Sequence, residues 1–344
     1  MTLSISILRS KRAWRQYSVY DLEWIPGSLK VRMVGVYDER GYRWYETVDE
    51  FLVNEMTSAN RGRWFYAHAG GLADIQFVLE RVIGRKGYQV DARFSGSSAI
   101  ICKVKRGKNC HTFIDSLWLM KDSLDEIGKW VGIEKGEQEK RLTEEDARAF
   151  YANCSMHDLI VYNERDCVIL YEAIGGMQEA LYDFGGQLQM TLAASAMNLF
   201  RRKFLKKDIE THPFVNDTIR ESYYSSRVEP FSLHAYDAFY YDVNSSFPYA
   251  MTKPCPGEYL GSSRQMPDND NLYFADVEIE VPDGYLPPLP IRVAGRLFFP
   301  TGRWRSRLSG VDIELLEREG GRVLRVFECY QFGQFDCLRD YALT

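Results

Sequence analysis

The sequence lacks the features that would assign it to several common classes of protein. No run of apolar residues approaches the roughly 20 that a membrane-spanning helix needs. The N-terminus has no signal-peptide pattern, because Arg9, Lys11 and Arg12 follow only a short apolar stretch. The seven cysteines form no C-x-x-C pair, which argues against a zinc site or a disulfide framework. We therefore expect no membrane partner and a reducing, cytoplasmic location in a bacterial or virus-infected cell, with an organelle as the alternative.

Histidine and net positive charge are also scarce. The 344 residues include 5 histidines and carry a net charge of −5, which argues against a protein that simply coats a polyanion. Basic residues nevertheless cluster at 201–207 and at Arg303, Arg305 and Arg307. Local basic patches in an acidic chain suit a metal-dependent nuclease or polymerase. In such an enzyme carboxylates bind the catalytic metal ions, and arginines contact the phosphates of the nucleic acid. The length predicts two domains, or one large domain with an appendage.

A strand that carries two carboxylates opens the first domain. Residues 17–23 have the composition of a strand, and Asp21 and Glu23, two positions apart, lie on one face of it. Two more strands are predicted at 29–37 and 42–48, separated by a hairpin turn signal. Three consecutive antiparallel strands with D-x-E on the first are typical of the start of a ribonuclease H-like fold.

A glycine-rich corner follows the next predicted strand, at 64–68. The segment His68-Ala69-Gly70-Gly71-Leu72-Ala73-Asp74 leads into a helical pattern over 75–83, which places the Asp74 carboxylate above the end of the sheet. The elements predicted next are strands at 99–105 and 112–115, the tripeptide Asp115-Ser116-Leu117 and a helix that ends near Val131.

A tyrosine and an aspartate share one face of a later predicted helix. Apolar residues over 159–170 recur at helical spacing, so Tyr162 and Asp166, four positions apart, are neighbours. This Y-x-x-x-D completes the residue set of a DEDD-type 3′–5′ exonuclease. Phosphodiester hydrolysis proceeds well with two divalent ions roughly 4 Å apart, and Mg²⁺ and Mn²⁺ prefer oxygen ligands. The candidate ligands are Asp21, Glu23, Asp74 and Asp166.

Tyr162 is the remaining candidate catalytic residue at this site. A hydroxyl with a pKa of ~10 positions an attacking water better than it deprotonates one, so we expect Tyr162 to orient the water.

A further carboxylate lies in the aromatic segment 240–251. The segment is predicted to begin as a strand, to place Asp242 near the strand's end and to break at Pro248. It resembles motif A of family B DNA polymerases, D-x-x-S-L-Y-P, with Ser245 retained and Phe247 in place of the tyrosine. In that family the aspartate binds the catalytic metals, and the aromatic residue excludes ribonucleotides.

Taken together, the motifs resemble the protein-primed, organellar and viral branch of family B DNA polymerases. The resemblance implies an α/β (α+β) fold, with a ribonuclease H-like exonuclease domain followed by a partial polymerase palm. Ala69 and Ala73 stand where the family has Asn and Phe, residues that steady the single-stranded substrate. Residues 222–229 resemble the family's Tyr-x-Gly-Gly element, with serines in place of both glycines. The implied substrate-binding residues are His68, Ser116, Leu117, Tyr224, Arg227, Ser245 and Phe247, and Asp242 is implied as a metal ligand in the palm.

The expected domains are an exonuclease domain over 1–185, a helical connector over 186–220 and the start of a palm over 221–344. The sequence contains neither K-x-x-x-N-x-x-Y-G nor Y-x-D-T-D, which in the family bind the nucleotide and supply the second palm carboxylate. We therefore expect the N-terminal half or a subunit of a DNA-directed DNA polymerase. Expected partners are a DNA 3′ end or primer-template, a second polypeptide with the remaining motifs, and a terminal priming protein.

Two other functions remain open at this point. The replacements at Ala69, Ala73 and Ser225-Ser226 suggest a catalytically idle DNA-binding or assembly subunit. A stand-alone repair exonuclease that keeps a palm fragment is the third reading. The complete carboxylate set favours activity over the first of these, and the nearly complete motif A favours a polymerase over the second.

Overall fold

The elements of the first part of the chain form around one large sheet. The computed structural model describes residues 4–28, 30–135, 144–209, 213–224, 227–230, 232–284 and 286–344. The strands up to residue 203 are Tyr17–Ile25 (β1), Lys30–Asp38 (β2), Gly41–Tyr45 (β3), Trp64–Ala67 (β4), Tyr88–Ser95 (β5), Ser98–Arg106 (β6) and Asn109–Asp115 (β7). The helices of this part are Val48–Glu55 (α1), Asp74–Val82 (α2), Leu124–Val131 (α3), Glu144–Asn153 (α4), Met156–Asp183 (α5) and Leu192–Leu199 (α6).

The seven strands are ordered β3-β2-β1-β4-β7-β6-β5. Strand β4 runs parallel to β1 and β7, and the other pairings are antiparallel. Because side chains alternate along a strand, β1 contributes Tyr20 and Leu22 to the core under α1 and α2, and Tyr17 and Val19 to the core under α3 and α5. Covered on both faces, this sheet is the ribonuclease H-like arrangement that the sequence predicts.

Three elements of this part, α1, β5 and α4, were not predicted from the sequence. The strand predicted over 42–48 is too long, because Thr47 caps α1, its hydroxyl accepting a hydrogen bond from the Glu50 backbone N–H at 3.1 Å. Strand β5 was missed because its outward residues are polar and it lies at the sheet edge, where only β6 pairs with it. Leu29, where the second predicted strand begins, lies outside the described residues.

The second part of the chain has its own sheet and core. Its elements are the helices Pro213–Arg220 (α7), Ser246–Met251 (α8), Gly310–Arg318 (α9) and Arg339–Ala342 (α10), and the strands Cys255–Ser263 (β8), Leu272–Val281 (β9), Ile291–Val293 (β10), Arg296–Phe298 (β11), Gly302–Ser309 (β12) and Arg322–Phe335 (β13). Four strands form an antiparallel sheet ordered β12-β9-β13-β8, and β10 and β11 form a hairpin. Residues Val277, Ile279, Leu308 and Leu316 lie in its core.

The predicted strand at the start of motif A is wrong. Residues 238–243 have no regular structure, and among the described strands none pairs with them. A strand requires a neighbour for its backbone hydrogen bonds, and without one the side chains of Tyr240 and Tyr241 are 93% and 87% exposed. Nor does the chain break at Pro248. This residue lies in the first turn of α8, where proline's missing N–H has no helical partner to lose.

The arginines at 303, 305 and 307 lie in strand β12. Arg303 bonds Glu280 and Arg305 bonds Asp276, both on the neighbouring strand β9, whereas Arg307 pairs with Glu221. These side chains are therefore largely neutralised, which corrects the expectation of a free phosphate track along all three.

Contacts along the chain divide it into two units. One comprises Arg9–Lys203, and the other comprises Phe204–Thr344 with the N-terminal residues through Leu8. Ile5 and Ile209 join the two segments of the second unit by a pair of backbone hydrogen bonds, each 2.9 Å long. The predicted connector over 186–220 falls on both sides of this division. Within the described part of the chain, no helix has the length and apolar character to cross a membrane.

Candidate nuclease site

Four carboxylates come from three elements of the first unit. Asp21 and Glu23 lie on β1, on the face that packs against α5, Asp74 is the first residue of α2, and Asp166 lies on α5. They are close enough for the negative charges of Glu23, Asp74 and Asp166 to raise the pKa of Asp21, after the larger effect of burial. The structure therefore brings together the four residues that the sequence predicts.

The glycine corner fixes the position of Asp74. A Cβ on Gly71 would lie 2.4 Å from the Ala99 carbonyl oxygen, so only glycine lets the corner pack against β6 at this distance. The Ala99 backbone N–H donates to the Gly71 carbonyl at 2.9 Å. At the end of the corner, Asp74 Oδ1 accepts a hydrogen bond from the Leu22 backbone N–H at 2.8 Å, which ties α2 to β1 between its two carboxylates.

A buried asparagine links the two carboxylates of β1. Asn163 Nδ2 lies 2.9 Å from Asp21 Oδ2 and 3.1 Å from Glu23 Oε1, and its Oδ1 accepts from the Tyr42 hydroxyl at 2.9 Å. Because Asn163 is fully buried, its amide is fixed by the strands around it. It lies one turn before Asp166 on α5, so the helix positions both residues together.

The protein does not fully compensate the charge of these carboxylates. Burial raises the pKa of Glu23 to about 8, against the hydrogen bond from Asn163, and raises the pKa of Asp74 to about 7, against the Leu22 N–H. Burial also raises the pKa of Asp166, and the Lys135 ammonium opposes the increase. Groups with pKa values shifted in this way are typical of functional sites.

Lys135 and two tyrosines surround Asp166. Lys135 Nζ lies 2.7 Å from Asp166 Oδ2 and 5.4 Å from the centre of the Tyr162 ring. The hydroxyl of Tyr162 lies 3.5 Å from that of Tyr151 on α4. Burial, and next the charge of Asp166, raise the pKa of Tyr162 well above its ordinary value. Tyr162 is therefore a hydrogen-bond donor and not a base at neutral pH.

Of the predicted substrate-binding residues in this unit, two bond to each other. His68 Nε2 donates to the Asp122 carbonyl at 3.0 Å, and His68 Nδ1 lies 3.0 Å from Ser116 Oγ. Burial lowers the pKa of His68, and the Ser116 hydroxyl also donates to the Ala67 carbonyl at 3.2 Å. Ser116 is fully buried, whereas Leu117 is 37% exposed. Only Leu117 of these two offers surface to a substrate.

The donor set fits a divalent cation such as Mg²⁺ or Mn²⁺ in its chemistry, because all four candidate ligands are carboxylates. Asp166 Oδ1 is buried and has no hydrogen-bond partner among the described residues. In the same residues, no three His, Cys, Asp or Glu side chains already form a coordination shell, since Asn163, Lys135 and the Leu22 N–H hold the carboxylate oxygens. Binding an ion requires these oxygens to exchange partners.

The predicted residues of the second unit are more scattered. Asp242 is exposed, and no described side chain forms a hydrogen bond or ion pair with it. Ser245 precedes α8 with a left-handed φ of 56°, and Phe247 is 81% exposed. Tyr224 bonds Ser306, with 3.1 Å between the hydroxyl oxygens, and Arg227 bonds Glu229 at 2.7 Å. The serines Ser225-Ser226 lie outside the described residues.

Sequence reasoning missed Lys135, Asn163 and Tyr42. Asn163 had a detectable signal, because it stands beside Tyr162 and three positions before Asp166 in the predicted helix. Lys135 had none, since it is 31 residues from its partner Asp166. Tyr42 reaches the site only because β3 pairs with β2.

The comparisons with known proteins agree with this fold. The family described as DNA polymerase type B, organellar and viral, matches residues 133–341, more than half of the chain. The chain therefore belongs to this family of DNA polymerases, as its motifs indicate.

Individual relatives are distant. A probable DNA polymerase of Podospora anserina is 25% identical over 311 residues, which cover 77% of this chain and 25% of that protein. A DNA-directed DNA polymerase of Enterobacteria phage PRD1 is 25% identical over 227 residues, 63% of this chain and 35% of that protein. The chain thus spans about a quarter to a third of the length of these relatives.

A solved structure confirms the fold. Phi29 DNA polymerase, complexed with primer-template DNA and incoming nucleotide substrates, superposes with a TM-score of 0.69 and 16% identity over 96% of this chain and 63% of that chain. At this identity the likeness concerns fold alone. The expected mixed α/β fold is confirmed.

Proposed function

We propose that the unit Arg9–Lys203 is a two-metal 3′–5′ exonuclease that proofreads for a family B DNA polymerase. The observation that carries the proposal is the meeting of Asp21, Glu23, Asp74 and Asp166, from β1, α2 and α5, in one buried cluster with raised pKa values. Keeping four carboxylates together in a partly dry site is costly for stability. A bound catalytic cation offsets this cost, because its positive charge compensates the carboxylates.

Asp21, Glu23, Asp74 and Asp166 are the proposed ligands of Mg²⁺ or Mn²⁺. When bound, two such ions acidify the attacking water and stabilise the attacking and leaving oxygens. Side chains of the protein position the carboxylates and the attacking water. Asn163 orients the carboxylates of β1, and Tyr162, kept protonated by its raised pKa, donates a hydrogen bond to the water or to the phosphate.

Lys135 has two roles in this proposal. Its ammonium, 2.7 Å from Asp166 Oδ2, stabilises that carboxylate before a cation arrives. Once Asp166 exchanges partners, the same positive charge is available to the phosphate of the substrate. His68, Ser116 and Leu117 are proposed to hold the single-stranded 3′ end, with Leu117 as the exposed contact.

We place the second unit at the start of a polymerase palm. Asp242 is its proposed metal ligand, Phe247 its sugar-selecting residue, and Ser245, Tyr224 and Arg227 are proposed contacts to DNA. Phi29 polymerase, a structural neighbour, was solved with primer-template DNA. Nucleotide addition requires a second carboxylate of the Y-x-D-T-D type, which these 344 residues do not contain. The remaining motifs, on a further segment or a second polypeptide, and a priming protein complete the proposed assembly.

The test is degradation of a single-stranded oligonucleotide labelled at its 5′ end, with Mg²⁺ or Mn²⁺. We expect stepwise shortening from the 3′ end by the unmutated chain and none by the Asp21→Ala, Asp166→Ala double variant. Asp91→Ala removes an exposed carboxylate from β5 of the same sheet and should keep full activity. Shortening that persists in the double variant, or starts at the 5′ end, would contradict the proposal.

A catalytically idle DNA-binding subunit is the second candidate. The ion pair of Lys135 with Asp166 favours it, because Lys135 occupies a carboxylate oxygen that a cation needs. An idle subunit would bind the oligonucleotide in the same assay without shortening it in either metal, and Mn²⁺ would not change its thermal stability.

A further inference from the structure

The second unit contains a cavity of about 600 Å³ lined by three arginines. Arg305 and Arg307 come from β12, the edge strand of the four-stranded sheet, and Arg292 from the β10–β11 hairpin. Tyr224 closes another side, its hydroxyl 3.1 Å from Ser306 Oγ. We call this cavity the arginine pocket. Its volume is in the range that binds small ligands or single nucleotide units.

One buried carboxylate fixes two of the arginines. Asp276, only 7% exposed, accepts two hydrogen bonds from Arg305, at 2.7 and 2.8 Å, and its Oδ2 lies 3.6 Å from Arg307 Nε. A bidentate pair of this kind sets the plane of the guanidinium group. The side chains of Arg305 and Arg307 are nevertheless 59% and 33% exposed, so both remain accessible to a ligand.

The rest of the pocket is unevenly charged. Arg307 also pairs with Glu221, whose side chain is 66% exposed, so water screens the attraction between them. Arg292 donates to the Tyr223 carbonyl at 3.1 Å and lies 5.5 Å from the centre of the Tyr224 ring. Among the described carboxylates, none forms an ion pair with it. The three arginines therefore exceed the two carboxylates by one positive charge.

From this arrangement we infer that the arginine pocket binds a phosphate group of a nucleic-acid strand. The phosphate displaces the exposed carboxylate of Glu221 from Arg307 and takes Arg292 as its second guanidinium partner. Planar guanidinium groups match phosphate oxygens with two N–H groups each. The Tyr224 ring supplies an adjacent apolar surface for the sugar or base. This inference is independent of the nuclease proposal, because every residue in it belongs to the second unit, but it rests on the proposed contact of Tyr224 with DNA.

The experiment measures binding of a short fluorescent single-stranded DNA to the full chain by anisotropy, in EDTA so that no cleavage occurs. Arg292→Ala should weaken binding on the order of 3–10-fold and reduce the slope of log affinity against log salt by about 0.7. Glu221→Gln should tighten binding, because it removes the carboxylate that competes with the phosphate. The two variants are exposed at the surface and should fold normally.

Matched controls distinguish an effect of the pocket on DNA binding from a general effect of net charge. Arg303→Ala removes the same charge from β12, but Arg303 pairs with Glu280 outside the pocket, and Glu314→Gln removes an exposed carboxylate of α9. Neither should alter binding beyond a small screened effect. The inference is overturned if either pocket variant binds like the unmutated chain or like its control. Competition by inorganic phosphate, lost in Arg292→Ala, would support a phosphate site in the pocket.

Discussion

Gly35 leaves the space that the side-chain oxygen of Asn163 occupies. A Cβ on Gly35 would lie 1.6 Å from Asn163 Oδ1, so no other residue fits on β2 while that amide keeps its place. The same amide bonds the carboxylates of Asp21 and Glu23 through Nδ2. Gly35, which has no side chain, thus sets the geometry of the candidate nuclease site by leaving room for Asn163.

Gly35→Ala should therefore disturb both stability and the site. We expect a loss of about 1–3 kcal/mol in the free energy of unfolding, because the added methyl overlaps Asn163, together with slower 3′-end cleavage. Urea unfolding measures the first and the oligonucleotide assay the second. Gly176→Ala on α5 is the control, since nothing lies within 4 Å of its added Cβ and alanine favours a helix by about 1 kcal/mol. Equal stability of Gly35→Ala and the unmutated chain would contradict the overlap.

Asp74→Asn should stabilise the metal-free protein while abolishing cleavage. Burial raises the pKa of Asp74 to about 7, above the ~3.9 of an unfolded aspartate. The folded state therefore holds a proton that the unfolded state has lost, and stability falls as pH rises from about 4 to above 7. Asparagine keeps the acceptor for the Leu22 N–H without the charge. We expect a gain of about 2–4 kcal/mol at pH 8, and little change near pH 4.

Thermal unfolding across that pH range, with EDTA, measures this difference. Asp91→Asn, on the exposed edge strand, should not change the melting temperature. Added Mn²⁺ should raise the melting temperature of the unmutated chain and have a smaller effect on Asp74→Asn. A variant that melts lower than the unmutated chain at pH 8 would show that the carboxylate is not destabilising.

Asp38 should make the first unit sensitive to acid. Burial raises its pKa, but hydrogen bonds from Arg40 and Arg43 outweigh this effect and hold the pKa well below its usual range. The stabilisation is therefore present above pH ~4, the unfolded value, and is lost as pH falls below it. Asp38→Asn removes a charge that Arg40 and Arg43 share, although both arginines keep Glu55 as a second partner. We expect a loss of about 1.5–3 kcal/mol at pH 7 that shrinks in acid.

Urea unfolding at neutral and acidic pH tests this. The control is Asp49→Asn, whose pair with Arg85, 2.7 Å long, has both side chains about half exposed and should contribute less than ~1 kcal/mol at any pH. A constant difference between Asp38→Asn and the unmutated chain across the pH range would contradict the assigned pKa direction.

Ala69→Asn should stabilise the glycine corner. Ala69 has a φ of 54°, in the left-handed region that asparagine tolerates better than alanine. We expect a gain of about 0.5–1 kcal/mol and tighter binding of single-stranded DNA, because the family has asparagine here. Ala294→Asn, with a φ of 49° in the second unit, should give a similar gain in stability and leave 3′-end cleavage unchanged. If both variants bind single-stranded DNA more tightly, the tighter binding does not arise at the nuclease site.

Local periodicity explains what the sequence determined about this protein. Alternation along β1 places Asp21 and Glu23 on one face, and the helical repeat places Tyr162 beside Asp166, so both halves of the nuclease motif follow from spacing alone. Family membership could be read from these motifs because each one depends on its immediate neighbours.

Only the tertiary structure decided the remaining features, because they depend on which distant residues share a desolvated space. The pairs Lys135–Asp166 and Gly35–Asn163 join elements that no local pattern connects. The aromatic run at 240–243 has strand composition, but without a neighbouring strand it stays exposed and irregular. The arginines of β12 look like a free basic stripe until β9 supplies their carboxylates. Packing sets the partners and the burial, and these in turn set the pKa values and the available charge.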